Sequence, residues 1–125
     1  MTADMAALGR RAVACPGWRW LPGMLTVGSV RLSMPMADPR RIRGIDDYGD
    51  VVVELLDDLG LPDLSDAATV GCLLALVREA HDDPTAYTEP TSSSRTSPWR
   101  CAAGPMLTAA QPTEAEALVV ALEAA

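Results

Sequence analysis

The chain has 125 residues, an aromatic content of 4% and a formal net charge of −7. This length fits one domain over residues 1–125 and argues against a multidomain architecture. The negative charge makes direct nucleic-acid binding or contact with an anionic membrane surface unfavourable, because both present phosphate groups.

The number and spacing of the cysteines also limit the class of protein to which the chain can belong. Cys15, Cys72 and Cys101 are odd in number and lack the Cys-x-x-Cys spacing, so a disulfide framework is not expected. No apolar run approaches the roughly 18 residues of a membrane span, and the N-terminus lacks a signal-peptide core. We therefore expect a cytoplasmic protein.

The first third of the chain predicts a helix followed by strands. Apolar residues recur at helical spacing over residues 3–14, with Thr2 as a candidate N-cap, and Pro16-Gly17 ends this helix. Residues 18–21 alternate as a strand does. Residues 24–33 predict a hairpin in which Gly28-Ser29 forms a type II′ turn.

The middle segment, residues 35–61, reads as a variable insertion that begins with a loop over residues 35–44. Residues 46–59 allow two interpretations. Val51-Val52-Val53 alone favours a strand. A longer apolar stripe that also includes Leu55 and Leu59 faces acidic residues and favours a helix. The longer periodicity decides for a helix.

The last part of the chain combines helices and short strands. The clearest helix covers residues 66–80, with Asp63 or Ser65 as its cap. Strands are expected near residues 85–88, 99–102 and 106–109, and residues 90–98 predict a flexible polar loop. Thr113 and Glu116 form a capping box at the start of a final helix. The whole pattern predicts an α+β domain with a mostly antiparallel sheet packed by N-terminal, central and C-terminal helices.

Four segments resemble the phage ABA sandwich domain, a group of small phage and prophage proteins. They are LGRRAVACPGWRW (8–20), PDLSDAATVGCLLALVREA (62–80), Trp99 and TEAEALVVALEA (113–124). The resemblance covers about half the chain, and the middle segment has no counterpart in it. It implies a three-layer α/β/α sandwich and a phage or prophage protein in the cytoplasm of a bacterial host. It implies no activity.

Three groups of residues are candidate sites. An acidic face, which suits a protein partner or a solvated surface better than a cation, comprises Asp46, Asp47, Asp50, Glu54, Asp57 and Asp58. A candidate ligand site combines rings that stack with guanidinium groups that grip phosphates: Trp18, Trp20, Arg40, Arg41 and Arg43. The lone histidine, His81, stands beside Asp82 and Asp83 at a helix end, where a structural role is the more common one.

These patterns lead to three functional hypotheses. The first is a non-enzymatic phage or prophage accessory protein that acts by protein–protein interaction, for example as an inhibitor of a bacterial defence system. The second is a small-ligand binding module for a nucleotide, and the third and weakest is a metal-dependent hydrolase that uses His81. No catalytic residue, cofactor or metal site is indicated, the identity of the protein partner is open, and a homodimer is compatible with the sequence.

Overall fold

A computed structural model describes residues 3–55, 57–91, 95–96 and 98–125. Within these residues the chain forms helices and short strands. The helices are α1 (Ala3–Ala14), α2 (Ala67–Ala80) and α3 (Glu114–Glu123). The strands are β1 (Arg31–Pro35), β2 (Arg41–Asp46), β3 (Gly49–Glu54), β4 (Tyr87–Pro90), β5 (Trp99–Ala103) and β6 (Met106–Leu107). The predicted α+β class with helices near the start, centre and end of the chain is confirmed.

The described strands are shared between two small antiparallel sheets, ordered β1-β2-β3 and β4-β5-β6. The first sheet is a meander whose β1 register shifts between Leu32 and Met34. Close approach of β1 and β2 depends on Gly44, because a Cβ atom there would lie 2.5 Å from the Arg31 carbonyl oxygen. This arrangement is consistent with a small α/β sandwich.

One core joins the helices with both sheets, and Leu32 on β1 and Ile42 on β2 belong to it. Helix α3 packs against α1, α2 and β5. The side chains of Leu73 and Val77 on α2 and of Leu118 and Val119 on α3 are fully buried. The apolar stripes predicted for the central and final helices therefore form the interior, which supplies most of the stabilising burial of apolar surface.

The helix caps agree in part with expectation. Thr113 Oγ1 accepts a hydrogen bond from the backbone N–H of Glu116 at 3.1 Å, as the capping box predicts. Helix α2 is capped by Asp66, whose carboxylate accepts from the Thr69 N–H at 3.0 Å. The prediction of Asp63 or Ser65 as this cap is wrong, because the Asp63 carboxylate binds Ser65 instead.

The predicted helix over residues 46–59 is wrong. Residues 49–54 form β3, which pairs with β2 across the turn at Asp47 and Tyr48. Gly49 has a φ of 113°, which suits the tight turn, and Asp46 Oδ1 accepts from the Tyr48 N–H at 2.8 Å. The β-branched run Val51-Val52-Val53 decides the outcome because its pairing with β2 is available nearby in the chain.

The structure also differs from several smaller predictions around the first sheet. Residues 18–21 are not a strand, and the expected loop over 35–44 gives way to β2 from Arg41 onward. The hairpin over 24–33 forms, with a bridge between Leu25 and Arg31 and a backbone hydrogen bond from the Thr26 N–H to the Val30 carbonyl at 2.9 Å, although only its second arm is a regular strand. The positive φ falls at Ser29, at 68°, instead of at Gly28 as a type II′ turn requires.

Some expectations lie outside the described residues. Thr2 and much of the predicted 90–98 loop belong to this group, although β4 and β5 flank that loop as expected. Over the ranges that the structure covers, no helix has the length and apolarity needed to cross a bilayer.

Candidate functional site

A cavity of about 550 Å³ opens between the tryptophan segment and the first sheet, and three segments line it. The first contributes Val13, Trp18, Arg19 and Trp20. The second contributes Pro35, Met36, Pro39, Arg40, Arg41 and Ile42. The third contributes Leu55, Asp57, Gly60 and Leu61. We call this cavity the Trp–Arg cleft, and its volume lies within the range of about 300–1,000 Å³ that ligand pockets occupy.

Two indole rings form one wall of the Trp–Arg cleft. The ring centroids of Trp18 and Trp20 are 5.5 Å apart and their planes meet at 82°, an edge-to-face arrangement. Trp20 is 9% exposed and belongs to the core, whereas Trp18 is half-buried. The two rings therefore present a fixed apolar surface, although no strand holds them.

The Trp18 indole nitrogen is a buried donor without an acceptor among the described residues. Buried polar atoms in native proteins are nearly always paired, because leaving one unpaired costs about 1–3 kcal/mol. Because this nitrogen has almost no accessible surface, Trp18 contributes the apolar surface of its ring to the cleft wall, and not this donor.

The arginines of the cleft differ in their partners. Arg19 donates to Glu79 at 2.5 Å, and this hydrogen bond raises the pKa of the Arg19 guanidinium. Arg41 donates to Glu54 across the β2–β3 pair at 3.0 Å. Arg40 contacts the Asp38 carboxylate through its Nε atom alone, at 3.5 Å.

Arg43 lies outside the Trp–Arg cleft. Its guanidinium binds the Asp50 carboxylate on β3, with its shortest N–O distance at 2.7 Å, and this bond lowers the pKa of Asp50. Successive residues of a strand point to opposite faces, and Arg43 directly follows the cleft residue Ile42 on β2. The structure thus unites four members of the predicted ligand site, Trp18, Trp20, Arg40 and Arg41, and separates Arg43 from them.

The third segment of the cleft is held by backbone hydrogen bonds. A short 3-10 helix over Asp58–Gly60 follows Asp57, whose side chain accepts from the Leu59 N–H at 3.0 Å. The carbonyl of Leu59 accepts from Gly28, and the carbonyl of Leu61 accepts from Val27. These bonds fix this side of the cleft against the segment that precedes β1.

The predicted acidic face does not exist as a row of free carboxylates. With residues 46–54 folded as strand ends and a turn, Asp50 and Glu54 pair with arginines of β2. Asp46 and Asp57 accept backbone N–H groups, and Asp58 binds Arg10 at 3.1 Å. Asp47 stands exposed in the β2–β3 turn. These carboxylates mostly stabilise the local structure, since strand pairing distributes them over different sides of the hairpin.

His81 and its neighbours have structural contacts. The His81 Nε2 atom lies 2.7 Å from the carbonyl oxygen of Ala121, which links the ends of α2 and α3. The Asp83 carboxylate accepts from Thr85 and from the backbone N–H of Gly104, and the Thr85 hydrogen bond is the largest cause of its lowered pKa. Among the described residues, no three His, Cys, Asp or Glu side chains are close enough to hold a metal ion. Trp99, on β5, is half-buried against the core and does not line the cleft.

Sequence reasoning missed the apolar half of the cleft. Pro35, Met36, Leu55 and Leu61 belong to the segment that the sequence predicts to be an insertion, and they meet the tryptophans only after β1–β3 fold. The valine run of β3 was the available signal, because a hairpin there places the residues before β2 next to those after β3.

Comparisons of the chain with protein-family models, with curated proteins and with solved structures gave no match.

Proposed function

We propose that this protein is a non-catalytic binding module that holds a small, largely apolar ligand in the Trp–Arg cleft. The observation that carries the proposal is the cavity of about 550 Å³ walled by the paired rings of Trp18 and Trp20. Concave, mainly apolar cavities with a few directed polar groups are the usual form of ligand sites.

The lining supports an apolar ligand body. Beside the two rings, it includes Met36, Leu55 and Leu61, whose side chains are exposed or half-buried in the folded chain. A ligand that covers these side chains removes their apolar surface from water, which is favourable by about 25 cal/mol per Å². The fixed edge-to-face rings add a surface against which a planar group packs well.

The lining favours binding over catalysis. The titratable or charged side chains that contribute to the described wall are Arg19, Arg40, Arg41 and Asp57. The Asp57 carboxylate already caps the 3-10 helix, and the described lining offers no cysteine or serine beside a histidine base. These groups can orient a ligand but supply no nucleophile and base pair.

The proposal is tested with N-phenyl-1-naphthylamine, an uncharged aromatic probe whose fluorescence rises in apolar surroundings. We expect saturable binding of one probe per chain, with quenching of tryptophan emission. Met36→Asp, which places a carboxylate in the cleft, should weaken binding at least tenfold. The control is Met34→Asp, since Met34 is exposed at 52% and pairs with Arg43 on the outer face of the sheet. Equal loss in both variants, or no saturable binding to the wild type, would contradict the proposal.

A second candidate function is protein–protein interaction, as expected of a phage or prophage accessory protein that inhibits a bacterial defence system. It is supported by the outer face of the first sheet, where Ile45 and Val52 are 55% and 52% exposed and Tyr48 at the turn is 99% exposed. The ion pair of Arg43 with Asp50 lies between Ile45 and Val52, because Arg43 stands opposite Val52 and Asp50 opposite Ile45. Exposed apolar and aromatic side chains interspersed with charged pairs are common in protein contact surfaces. This surface takes the place of the acidic helix as the expected contact.

The second candidate is tested by comparing cross-linked proteins recovered from a bacterial lysate with the wild type and with Ile45→Asp. A host protein that cross-links to the wild type and is lost with Ile45→Asp supports the outer face as the contact. Met36→Asp, in the cleft, is the matched control and should retain the partner. Recovery of identical proteins with all three chains would count against this function.

A further inference from the structure

We infer that the ligand of the Trp–Arg cleft is a monoanion, with an apolar body against the tryptophans and one carboxylate or sulfonate group on Arg40. This inference rests on the proposed binding function and adds the chemical class of the ligand. It replaces the nucleotide that the sequence alone suggested.

The first step is that the three arginines of the cleft differ in whether their Nη groups already have hydrogen-bond partners. Arg19 and Arg41 each donate an Nη hydrogen bond to a glutamate, at 2.5 and 3.0 Å. Arg40 has no Nη partner within the described part of the chain, and its side chain is 76% exposed. The Asp38 carboxylate engages its Nε atom at 3.5 Å and accepts the Arg40 backbone N–H at 2.9 Å. One guanidinium is thus available to a ligand.

The second step is the geometry of that guanidinium. The two Nη groups of an arginine match the two oxygens of a carboxylate or sulfonate, so one anionic group uses the free side of Arg40. Arg40 and Arg41 also share a smaller depression of about 140 Å³ with Asp38 and Glu54. An anionic group at Arg40 therefore lies beside a cationic neighbour but close to two carboxylates.

The third step is the number of charges that the cleft tolerates. The chain carries a formal charge of −7, and Asp57 lines the same cavity. Each further negative charge on a ligand meets this field, and the other arginines of the described lining, Arg19 and Arg41, are already paired with glutamates. A nucleoside triphosphate is therefore disfavoured relative to a singly charged ligand, because its extra phosphates gain no partner and are repelled.

The fourth step is the apolar surrounding of the charged group. Pro39 and Ile42 flank the arginines along the chain and line the same wall. The Arg40 side chain is 76% exposed, so water screens its charge in the free protein. A ligand body that covers Pro39 and Ile42 displaces part of this water, and the attraction between Arg40 and an anion is then screened less. The charged group then adds to affinity only when the apolar body also fills the cleft.

The test compares two probes that differ in one group. 8-Anilino-1-naphthalenesulfonate has the ring skeleton of N-phenyl-1-naphthylamine plus one sulfonate. We expect the wild type to bind the sulfonate probe about tenfold more tightly than the neutral probe, as one charge-assisted pair predicts. Arg40→Gln should abolish this difference, so that the ratio of the two affinities in the variant falls to about one. Arg43→Gln, on the opposite face of the same hairpin, is the matched control and should preserve the difference.

The outcomes separate the inference from the function on which it rests. Saturable binding of the neutral probe with no gain from the sulfonate, or an unchanged gain in Arg40→Gln, overturns the monoanion and leaves the apolar cleft intact. Failure of both probes to bind saturably overturns the proposed function itself. Displacement of the sulfonate probe by ATP at lower concentration than by 1-naphthoate also overturns the monoanion. Circular dichroism and thermal melting of each variant establish that the compared chains are folded.

Discussion

The guanidinium of Arg31 donates two hydrogen bonds to the carboxylate of Asp66, with N–O distances of 2.6 and 3.2 Å. The same carboxylate caps α2 through Thr69, at 3.0 Å to its N–H and 2.8 Å to its hydroxyl. The Thr69 hydroxyl oxygen in turn accepts from the backbone N–H of Leu25 at 2.9 Å. One carboxylate thus joins β1, the segment before it and the start of the central helix.

Removal of this carboxylate should destabilise the fold. Asp66→Ala loses both the cap and the partner of Arg31, and we expect the free energy of unfolding in urea to fall by about 2 kcal/mol. The loss is moderate because Arg31 is 43% exposed and the ion pair is partly screened. Asp66→Asn keeps a side chain that caps well and should cost about half as much. Asp50→Asn, in an exposed ion pair, is the control, and a loss equal to that of Asp66→Ala would contradict the network described here.

Acid should weaken the same network. The hydrogen bond from Arg31 is the largest cause of the lowered pKa of Asp66, whose usual value is 3.8. A carboxyl with a lower pKa in the folded chain contributes stability that is present above its unfolded pKa. That contribution is lost as the pH falls from about 4 through the folded value. Urea melts at pH 6, 4 and 3 should show the gap between wild type and Asp66→Asn closing with acid, and a constant gap would refute this origin.

Two glycines should respond to alanine in opposite directions. Gly44→Ala places a Cβ atom 2.5 Å from the Arg31 carbonyl oxygen. We expect the resulting backbone shift to lower the free energy of unfolding by about 1–3 kcal/mol. Gly71 lies exposed in α2, where an added Cβ meets no atom within 4 Å. Gly71→Ala should therefore raise the free energy of unfolding by about 0.5–1 kcal/mol through helix propensity. Chemical denaturation measures both, and destabilisation by Gly71→Ala would show that the helix packs differently.

Trp20 and Tyr48 are the buried and the fully exposed aromatic residue of a matched test of the core. Trp20 is 9% exposed and packs in the core cluster, so Trp20→Ala should cost about 3–5 kcal/mol. Tyr48 is 99% exposed at the β2–β3 turn, and Tyr48→Ala should change stability by less than about 0.5 kcal/mol. Thermal melting followed by circular dichroism compares them. Similar melting temperatures for the two variants would mean that Trp20 is not part of the interior.

The helices could be predicted from the sequence because their signals are local. Thr113 and Glu116 mark the start of α3, and the apolar spacing around Leu73 and Val77 marks the buried face of α2. The prediction of a helix over residues 46–59 is wrong because a hairpin with alternating charges also produces apolar residues at helical spacing.

The Trp–Arg cleft could be predicted only in part. The chemistry of the tryptophans and arginines makes them candidates for a ligand site. Whether they lie close together depends on the turn at Gly49 and on the pairing of β2 with β3. Whether an arginine is free or paired depends on which carboxylate stands across the strand, so Arg43 was indistinguishable from Arg40 before the register was known.

The division into two sheets has a consequence for local opening. The helices pack on one another and on the β4-β5-β6 sheet, whereas the meander of β1-β2-β3 has one exposed face and joins the core through residues such as Leu32 and Ile42. Such a unit can separate from the rest at lower free energy than global unfolding requires, and its backbone amides should exchange with deuterium earlier than those of α3. A molecule bound between Trp18 and Met36 contacts both parts at once. Its binding should therefore slow the deuterium exchange of backbone amides across the whole meander.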